Sequence, residues 1–198
     1  MIRAVAFDVM DTLLTDPFRE ALHAATGLTV DQIVARRDPQ VHPAFERGEI
    51  DEHDYWRAFA ASGISADRET FHRVRRERTR WLPGMPALLD ELDGQVVRAA
   101  ATNYPVWIDE LTTGPLAGRI EVVVASCHVG IRKPEPGFYE AVLARLGLAA
   151  EQVLFVDDRR TNVEAAAAVG LTAHRFTDVD TLRSWLVEQR ALQPTAGA

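Results

Sequence analysis

The sequence predicts an α/β protein with a doubly wound parallel sheet, on the basis of two features of its 198 residues. Short apolar runs alternate with segments that carry helical signals, as expected of successive strand–helix units. Each run is almost uniformly apolar, which is typical of a strand buried on both faces of a parallel sheet. The predicted strands are Ile2–Phe7, Val96–Ala101, Ile120–Ala125, Val153–Val156 and a fifth near Leu171–Arg175.

Proline and glycine positions predict the helices that separate and follow these strands. One helix is expected to begin at Pro105, since proline suits the first helical position. Gly147 and Gly170 are expected to end two others as C-caps. The tail Gln193–Ala198 is expected to fray. The predicted helices are Met85–Leu92, Pro105–Thr113, Pro136–Leu146, Thr161–Val169 and one near Asp178–Gln189.

Residues 15–81 have a different pattern, which predicts an inserted helical module. This segment contains no convincing strand, and its apolar residues recur at helical spacing. Thr29 and Gln32 have the spacing of a capping box, and Asp51 is placed to cap a later helix. We therefore expect a core of residues 1–14 and 82–198 and a helical cap of residues 15–81. The alternative is one long crossover of a single domain.

Composition and charge argue against several classes of protein. The net charge of −7 gives no general attraction to nucleic acid or to an anionic membrane. The single cysteine, Cys127, allows no intrachain disulfide, and no apolar run approaches the roughly 20 residues of a membrane span. No secretory signal pattern begins the chain. We expect a soluble cytoplasmic protein without nucleic-acid or membrane partners, and its oligomeric state is left open.

The first predicted strand ends at Asp8, and a turn that includes Met10 and Asp11 comes directly after it. Open α/β sheets present their chemistry at the carboxyl ends of the strands. A single aspartate at such a position is weak support for a site, because aspartate is common in turns. Its weight depends on the residues at the carboxyl ends of the other strands.

Polar residues stand at the ends of the other strands as well. The acids Asp157 and Asp158 come directly after a buried run, where two adjacent negative charges are unfavourable unless a positive group neutralises them. A divalent cation would do this. The remaining candidates are Thr102 and Asn103 after the second strand, Lys133 within Gly130–Pro134, and Asn162 four residues after the acid pair.

These elements, in this order, resemble the four motifs of the haloacid dehalogenase (HAD) superfamily, and the predicted cap resembles its helical (C1) type. The resemblance implies a HAD-like Rossmannoid core, a Mg²⁺ cofactor and a small, phosphorylated substrate. The roles it implies are catalysis by Asp8, Thr102 and Lys133; substrate binding by Thr102, Asn103 and Lys133; metal binding by Asp8, Asp158 and the carbonyl of Met10; and support from Asp157 and Asn162.

Met10 is the main departure from the family pattern. The family's phosphatases carry a second aspartate at this position, and it normally serves as the proton donor. A thioether carries no proton, and general acid catalysis contributes about 10²–10⁴-fold. The resemblance then implies a Mg²⁺-dependent phosphatase that acts through an aspartyl-phosphate with weakened acid catalysis, unless Asp11 compensates. The alternatives are a 2-haloacid dehalogenase type of C–halogen hydrolase, whose halide leaves without a proton, and a catalytically silent protein that binds a ligand or partner.

The resemblance implies that the cap determines which substrate is bound. We expect Cys127 to be a packed thiol and His128 to be a loop residue without a role. The cap residues that could face the substrate are equally suited to packing: Phe18, Arg36, Arg37, Phe45, Tyr55 and Trp56.

Overall fold

The computed structural model describes residues 1–193, which form a five-stranded parallel sheet in the order β3-β2-β1-β4-β5. This confirms the predicted fold class. The tail was predicted to fray, and its residues from 194 onward lie outside the described part of the chain. The strands are β1 Ala4–Phe7, β2 Val97–Thr102, β3 Val122–Ala125, β4 Val153–Asp157 and β5 Thr172–Arg175.

The register of the sheet brings the ends of its three central strands together. Phe7 of β1 pairs with Ala100 of β2 on one side and with Val156 of β4 on the other. Asp8 therefore lies beside Asp157 at the carboxyl edge. All four residues of β1 are fully buried, as a central strand covered on both faces requires.

Eleven helices flank or extend the sheet within residues 1–193, with a 3₁₀ turn at Ala150–Gln152. None of these helices combines the length and the apolar character of a membrane span. The helices are α1 Phe18–Thr26, α2 Val30–Val34, α3 Val41–Glu46, α4 Glu52–Ala61, α5 Arg68–Arg78, α6 Met85–Leu92, α7 Ile108–Thr112, α8 Ser126–Val129, α9 Pro136–Leu146, α10 Arg160–Ala168 and α11 Val179–Glu188.

Two of the predicted helices, α6 and α9, have the expected bounds, and Gly147 ends α9 in the left-handed conformation. The predicted start of α7 at Pro105 is wrong. Pro105 lies in a turn, where its carbonyl accepts a hydrogen bond from the Ile108 N–H at 2.9 Å, and the helix begins only at Ile108. The short helix α8 was not predicted, because four residues are too few to show a helical period.

The helical segment (residues 15–81) contains α1 to α5 and no regular strand. The capping box is formed: the Gln32 N–H donates to Thr29 Oγ1 at 3.3 Å, and the Thr29 N–H donates to Gln32 Oε1 at 2.8 Å. Asp51 caps α4 by accepting the Asp54 N–H at 2.8 Å. Both local predictions are therefore confirmed.

Apolar packing joins the helical segment to one face of the sheet. A single cluster of buried residues includes Val5 and Leu88 near the sheet, Trp107 before α7, and Phe45 and Phe71 of the helical segment. A second cluster, on the opposite face, packs α9 and α10 against the strands. The division into a separate core and cap stays a prediction.

The two connections between the helical segment and the sheet are paired with each other. The Thr15 N–H donates to the Arg80 carbonyl, and the Leu82 N–H donates to the Leu13 carbonyl, each at 2.9 Å. The two connections therefore lie side by side, so any motion of the segment must bend both of them together.

Candidate active site

A cleft opens where the carboxyl edge of the sheet faces the helical segment. Its volume is about 250 Å³. Asp8, Thr102 and Asp158 line it from the sheet edge, while Phe18 and His42 line it from the helical segment. The register of the strands sets the first group, and the packing of α1 and α3 sets the second.

Lys133 is the centre of the charged groups in the floor of the cleft. Its Nζ donates to Asp8 Oδ1 at 2.6 Å, to Asp157 Oδ2 at 2.7 Å and to the Ala101 carbonyl at 2.7 Å. The side chain is buried, which disfavours its charge, yet the attraction of Asp8 and Asp157 prevails and raises the pKa of Lys133. The three donors of the ammonium group are all used, so Lys133 is a fixed positive charge.

Asp8 is held at both its backbone and its side chain. Its N–H donates to the Val156 carbonyl at 2.8 Å, and its Oδ1 accepts from Lys133. Burial raises the pKa of Asp8 from 3.8 to about 7, against the opposing effect of Lys133 and with a further rise from Asp157. Among residues 1–193 no donor binds Asp8 Oδ2, which leaves that oxygen for the cleft.

Asp157 is fully buried, and both of its oxygens are occupied. Oδ2 accepts from Lys133, and Oδ1 accepts the Arg159 N–H at 2.8 Å. The Asn162 amide donates to both oxygens at 3.0 Å. The predicted supporting pair thus orients the lysine, and Asp157 has no oxygen left for a ligand in the cleft.

Asp158 differs from its neighbour in having a free carboxylate. Arg175 Nε donates to the backbone carbonyl of Asp158 at 3.0 Å. Among residues 1–193 no hydrogen bond to its carboxylate is formed. Burial raises the pKa of the Asp158 carboxyl, and the charge of Asp157 raises it further. Carboxylate oxygens of Asp8, Asp157 and Asp158 lie within 4.8 Å of one another.

This set of donors fits a hard divalent cation. Two acids with raised pKa values and free oxygens face the same cleft, and Mg²⁺ prefers carboxylate and carbonyl oxygens. Met10 also lines the cleft. Asp8, Asp158 and the Met10 carbonyl would hold the ion, whereas the saturated Asp157 would not.

The two residues at the end of β2 lie on the other side of Lys133. Thr102 is buried and lines the cleft beside Asp8. Asn103 also lines the cleft, but its side chain is bound to the backbone of Lys133 by two hydrogen bonds. The structure therefore gives the Asn103 amide a positioning role that the sequence did not reveal.

Sequence reasoning missed several charged residues of the cleft. Arg132 forms an ion pair with Glu46 of α3 across the cleft. Asp16, Arg19 and Arg159 line the cleft too. Only Arg159 carried a local signal, since it stands directly after the acid pair; the others depend on how the helical segment packs.

Of the six cap residues that could have faced the substrate, Phe18 lines the cleft. Phe45, Tyr55 and Trp56 are buried in the apolar cluster. Arg37 is buried over the Phe59 ring, 4.5 Å from its centroid, and Arg36 is exposed. These five are packing or surface residues in the described arrangement.

The helical segment is closed over the cleft by polar contacts with the core. Ser126 Oγ donates to the Glu46 carbonyl at 2.5 Å. Arg75, buried in α5, donates to Glu110 of α7 at 2.8 Å. His128 belongs to α8 rather than to a loop, and it lies 3.5 Å from Asp109 on the outside of this junction.

Comparisons with known proteins agree with this geometry. The chain is 35% identical to flavin mononucleotide hydrolase 1 of Arabidopsis thaliana, whose name assigns it to the chloroplast, over 178 residues that cover 89% of this chain and 73% of the relative. It is 31% identical to a phosphoglycolate phosphatase of Rhodospirillum rubrum, with 86% and 78% covered. The cytoplasmic location expected from the sequence stays a prediction.

A solved structure shares the fold at low sequence identity. It is a HAD family enzyme of Bacteroides thetaiotaomicron in complex with magnesium and inorganic phosphate, with a TM-score of 0.77, 16% identity, and 92% of this chain and 99% of that chain covered. The family model for haloacid dehalogenase-like hydrolases matches residues 2–170. With this match and these relatives, the chain belongs to the haloacid dehalogenase-like hydrolases.

Proposed function

We propose that the protein is a Mg²⁺-dependent phosphatase in which Asp8 forms an aspartyl-phosphate with a small phosphorylated metabolite. One observation carries the proposal: Asp8 Oδ2 is free in the cleft while Oδ1 is held 2.6 Å from the buried ammonium of Lys133. A carboxylate fixed by one oxygen and open at the other is placed for nucleophilic attack.

The residues in the floor of the cleft have separate roles in the proposed reaction. Asp8 Oδ2 attacks phosphorus, the bond from phosphorus to the leaving oxygen breaks, and the phosphoryl group remains on Asp8. Lys133 balances the negative charge of Asp8 and Asp157 throughout. Thr102, buried beside the cleft, would hold a phosphoryl oxygen through its hydroxyl. Mg²⁺, when bound by Asp8, Asp158 and the Met10 carbonyl, would neutralise charge between the carboxylates and the phosphoryl group.

The size and lining of the cleft support a small substrate. At about 250 Å³ it lies just below the roughly 300–1,000 Å³ of typical ligand sites. Phe18, Tyr104 and Trp107 give it aromatic walls, and Arg19 and Arg159 give it positive charge. A compact phosphate ester fits the closed cleft, and a larger one requires the helical segment to open.

The relatives indicate the first two substrates to test. Flavin mononucleotide is a larger ester that requires the helical segment to open, and its ring system would then lie against the aromatic walls. The 35% identity to a flavin mononucleotide hydrolase favours it. Phosphoglycolate would fit the closed cleft and use the arginines, and the 31% identity to a phosphoglycolate phosphatase favours it. We propose flavin mononucleotide first, because the relative named for it has the higher identity.

Phosphate release from a panel of phosphorylated metabolites, with Mg²⁺ or with EDTA, tests the function. We expect release that requires Mg²⁺, is lost in Asp8→Asn and is unchanged in Asp31→Asn, an exposed matched control on α2. The same panel should include 2-haloacids without metal. Halide release that depends on Asp8 would instead establish the dehalogenase alternative, and inactivity on both classes would establish the silent binding protein.

A further inference from the structure

Met10 leaves the proposed reaction without its usual proton donor, although the leaving oxygen of an alkyl phosphate needs a proton. Within residues 1–193, the walls of the cleft hold four carboxyl or imidazole groups besides Asp8 and Asp158. They are Asp11, Asp16, His42 and Glu46. The hydrogen bonds of each group decide whether it can carry a proton to the substrate.

Two of the four groups are committed to other partners. Glu46 forms an ion pair with Arg132. His42 has both ring nitrogens directed at protein atoms: Nε2 lies 3.4 Å from Glu46, and Nδ1 lies 3.5 Å from the Tyr55 hydroxyl. Within residues 1–193, the polar side-chain atoms of both groups therefore lie next to protein partners.

Asp11 also has a structural task. It occupies the left-handed region with φ 57°, which is uncommon for a residue other than glycine, and its Oδ1 accepts the Asp16 N–H at 3.1 Å. Its own N–H donates to the Leu14 carbonyl at 2.6 Å. This turn fixes the backbone of Asp16 at the mouth of the cleft.

Asp16, like Asp11, has one carboxylate oxygen without a partner among residues 1–193, but Asp16 follows the turn whereas Asp11 forms it. Its Oδ1 accepts the Phe18 N–H at 3.0 Å, and no partner among residues 1–193 binds its Oδ2. Desolvation by the walls of the cleft raises the pKa of Asp16, although the residue is exposed to solvent at one side. The Phe18 N–H, Arg159 and His42 oppose this shift, and Asp11 adds to it. A carboxyl with a raised pKa is better suited to donate a proton near neutrality.

We propose that Asp16 is a catalytic residue that serves as the general acid and general base, the role that Met10 cannot fill. The inference rests on the proposed phosphatase function. As Asp8 attacks and the phosphorus–oxygen bond breaks, the leaving oxygen takes the electron pair of that bond and the proton of the Asp16 carboxyl. Water then attacks the aspartyl-phosphate and gives a proton to the Asp16 carboxylate. Phosphate and a free Asp8 carboxylate result, and Asp16 is again protonated.

The two steps make different demands, which two substrates separate. An alkyl phosphate needs the proton of Asp16 in the first step, whereas nitrophenyl phosphate has a leaving group that departs without one. Asp16→Asn should therefore lower kcat/KM for an alkyl phosphate by about 10²-fold and change kcat/KM for nitrophenyl phosphate by less than about threefold. Asn can still accept the Phe18 N–H, so the turn is preserved. Asp11→Asn is the matched variant, because it keeps the acceptor for the Asp16 N–H.

The second step has a readout that does not depend on turnover. With nitrophenyl phosphate, Asp16→Asn should release about one equivalent of nitrophenol in a burst, because water is no longer activated. Intact mass spectrometry should then detect one phosphoryl group on the protein, and peptide mapping should place it on Asp8. Wild type should show neither the burst nor the covalent species at steady state.

The outcomes separate this proposal from the function on which it rests. Equal losses on both substrates without a phosphoenzyme, or a loss dependent on the leaving group in Asp11→Asn but not in Asp16→Asn, would overturn the role of Asp16 while Asp8 stays essential. Wild-type activity that survives in Asp8→Asn, or no activity on any phosphate ester, would instead overturn the proposed function and this inference with it.

Discussion

The side-chain amide of Asn103 forms two hydrogen bonds with the backbone of Lys133. The Asn103 Nδ2 donates to the Lys133 carbonyl at 2.9 Å, and the Lys133 N–H donates to the Asn103 Oδ1 at 2.8 Å. The two residues are 30 positions apart in the chain. This reciprocal pair connects the loop after β2 to the loop that carries the lysine, and it thereby sets the place of the ammonium group between Asp8 and Asp157.

We expect Asn103→Ala to reduce activity through the position of Lys133. The variant leaves the N–H and the carbonyl of Lys133 without partners, which should lower the free energy of unfolding by about 1–3 kcal/mol. It should lower kcat by about tenfold or more with a smaller change in KM, since the lysine is displaced from Asp8. Asn103→Asp keeps the acceptor for the Lys133 N–H but sets a carboxylate oxygen against the Lys133 carbonyl oxygen, so it should also lose activity. Equal kcat values in wild type and Asn103→Ala would show that the pair has no positioning role.

The raised pKa of Asp8 predicts how pH acts on the protein without metal. Burial raises this pKa from 3.8 to about 7, so the folded form keeps a proton that the unfolded chain loses within this window. The contribution of Asp8 to the unfolding free energy is therefore complete below about pH 4 and declines as the pH rises to about 7. Because Mg²⁺ requires the ionised carboxylate, its apparent affinity should weaken by about tenfold from pH 8 to pH 6.

Titration calorimetry measures this dependence and also assigns the ligands. Asp158→Asn should remove most of the Mg²⁺ binding, because its free carboxylate is lost. Asp157→Asn should lower the stability instead, since it weakens the buried contacts to Lys133 and Asn162. Affinity that does not change between pH 6 and 8, or that survives in Asp158→Asn, would contradict this set of ligands.

The sequence predicted the parts of the site that parallel strands align. Asp8, Thr102 and Asp157 each stand at or directly after the end of β1, β2 or β4, and the register brings those ends to one edge. Periodicity and strand ends are local signals, so they can be recognised without a structure. The fold class and the bounds of α6 and α9 came from the same kind of signal.

The residues that were missed depend on tertiary packing. The role of the Asn103 amide requires the backbone of Lys133, and the position of Asp16 in the cleft requires the turn made by Asp11. Pro105 satisfied a local rule for a helix start, yet the chain makes a turn there before α7 begins at Ile108. No local pattern predicts which side chains of the helical segment face the sheet.

Gly48→Ala should loosen the contact that closes the cleft. Gly48 has φ +71°, and a Cβ there would lie 2.7 Å from the Cys127 carbonyl oxygen, so the backbone must shift. Gly63 has nearly the same φ, +69°, with nothing within 4 Å of the added atom, and Gly63→Ala therefore measures the backbone strain alone. We expect each variant to lose about 1–2 kcal/mol from that strain.

The difference between the two glycine variants isolates the closing contact. Gly48→Ala should also raise KM several-fold, because the helical segment no longer seats on α8, while Gly63→Ala should leave KM unchanged. Steady-state kinetics and thermal unfolding on both variants provide the comparison. A KM that rises equally in the two would mean that strain, and not the closed arrangement, controls substrate binding.

The paired connections predict a local pattern of hydrogen exchange. If the helical segment moves as a cap, the amides of Thr15 and Leu82 should exchange faster than the amide of Phe7 in the central strand. Mg²⁺ with inorganic phosphate should slow exchange at the two connections and leave Phe7 unchanged. Exchange that is equally slow at all three amides would indicate that residues 15–81 and the sheet form one rigid body.

Placing an aspartate at position 10 tests whether Asp16 supplies the proton that Met10 cannot. In the wild-type background Met10→Asp should raise kcat/KM for an alkyl phosphate by less than about threefold, because Asp16 already supplies the proton. In the Asp16→Asn background the same change should raise it by about tenfold or more, at the low end of what general acid catalysis contributes. Such dependence of one substitution on the other is expected when two groups serve the same step. A large gain in the wild-type background would show that the reaction of the natural protein is short of an acid and that Asp16 does not provide it.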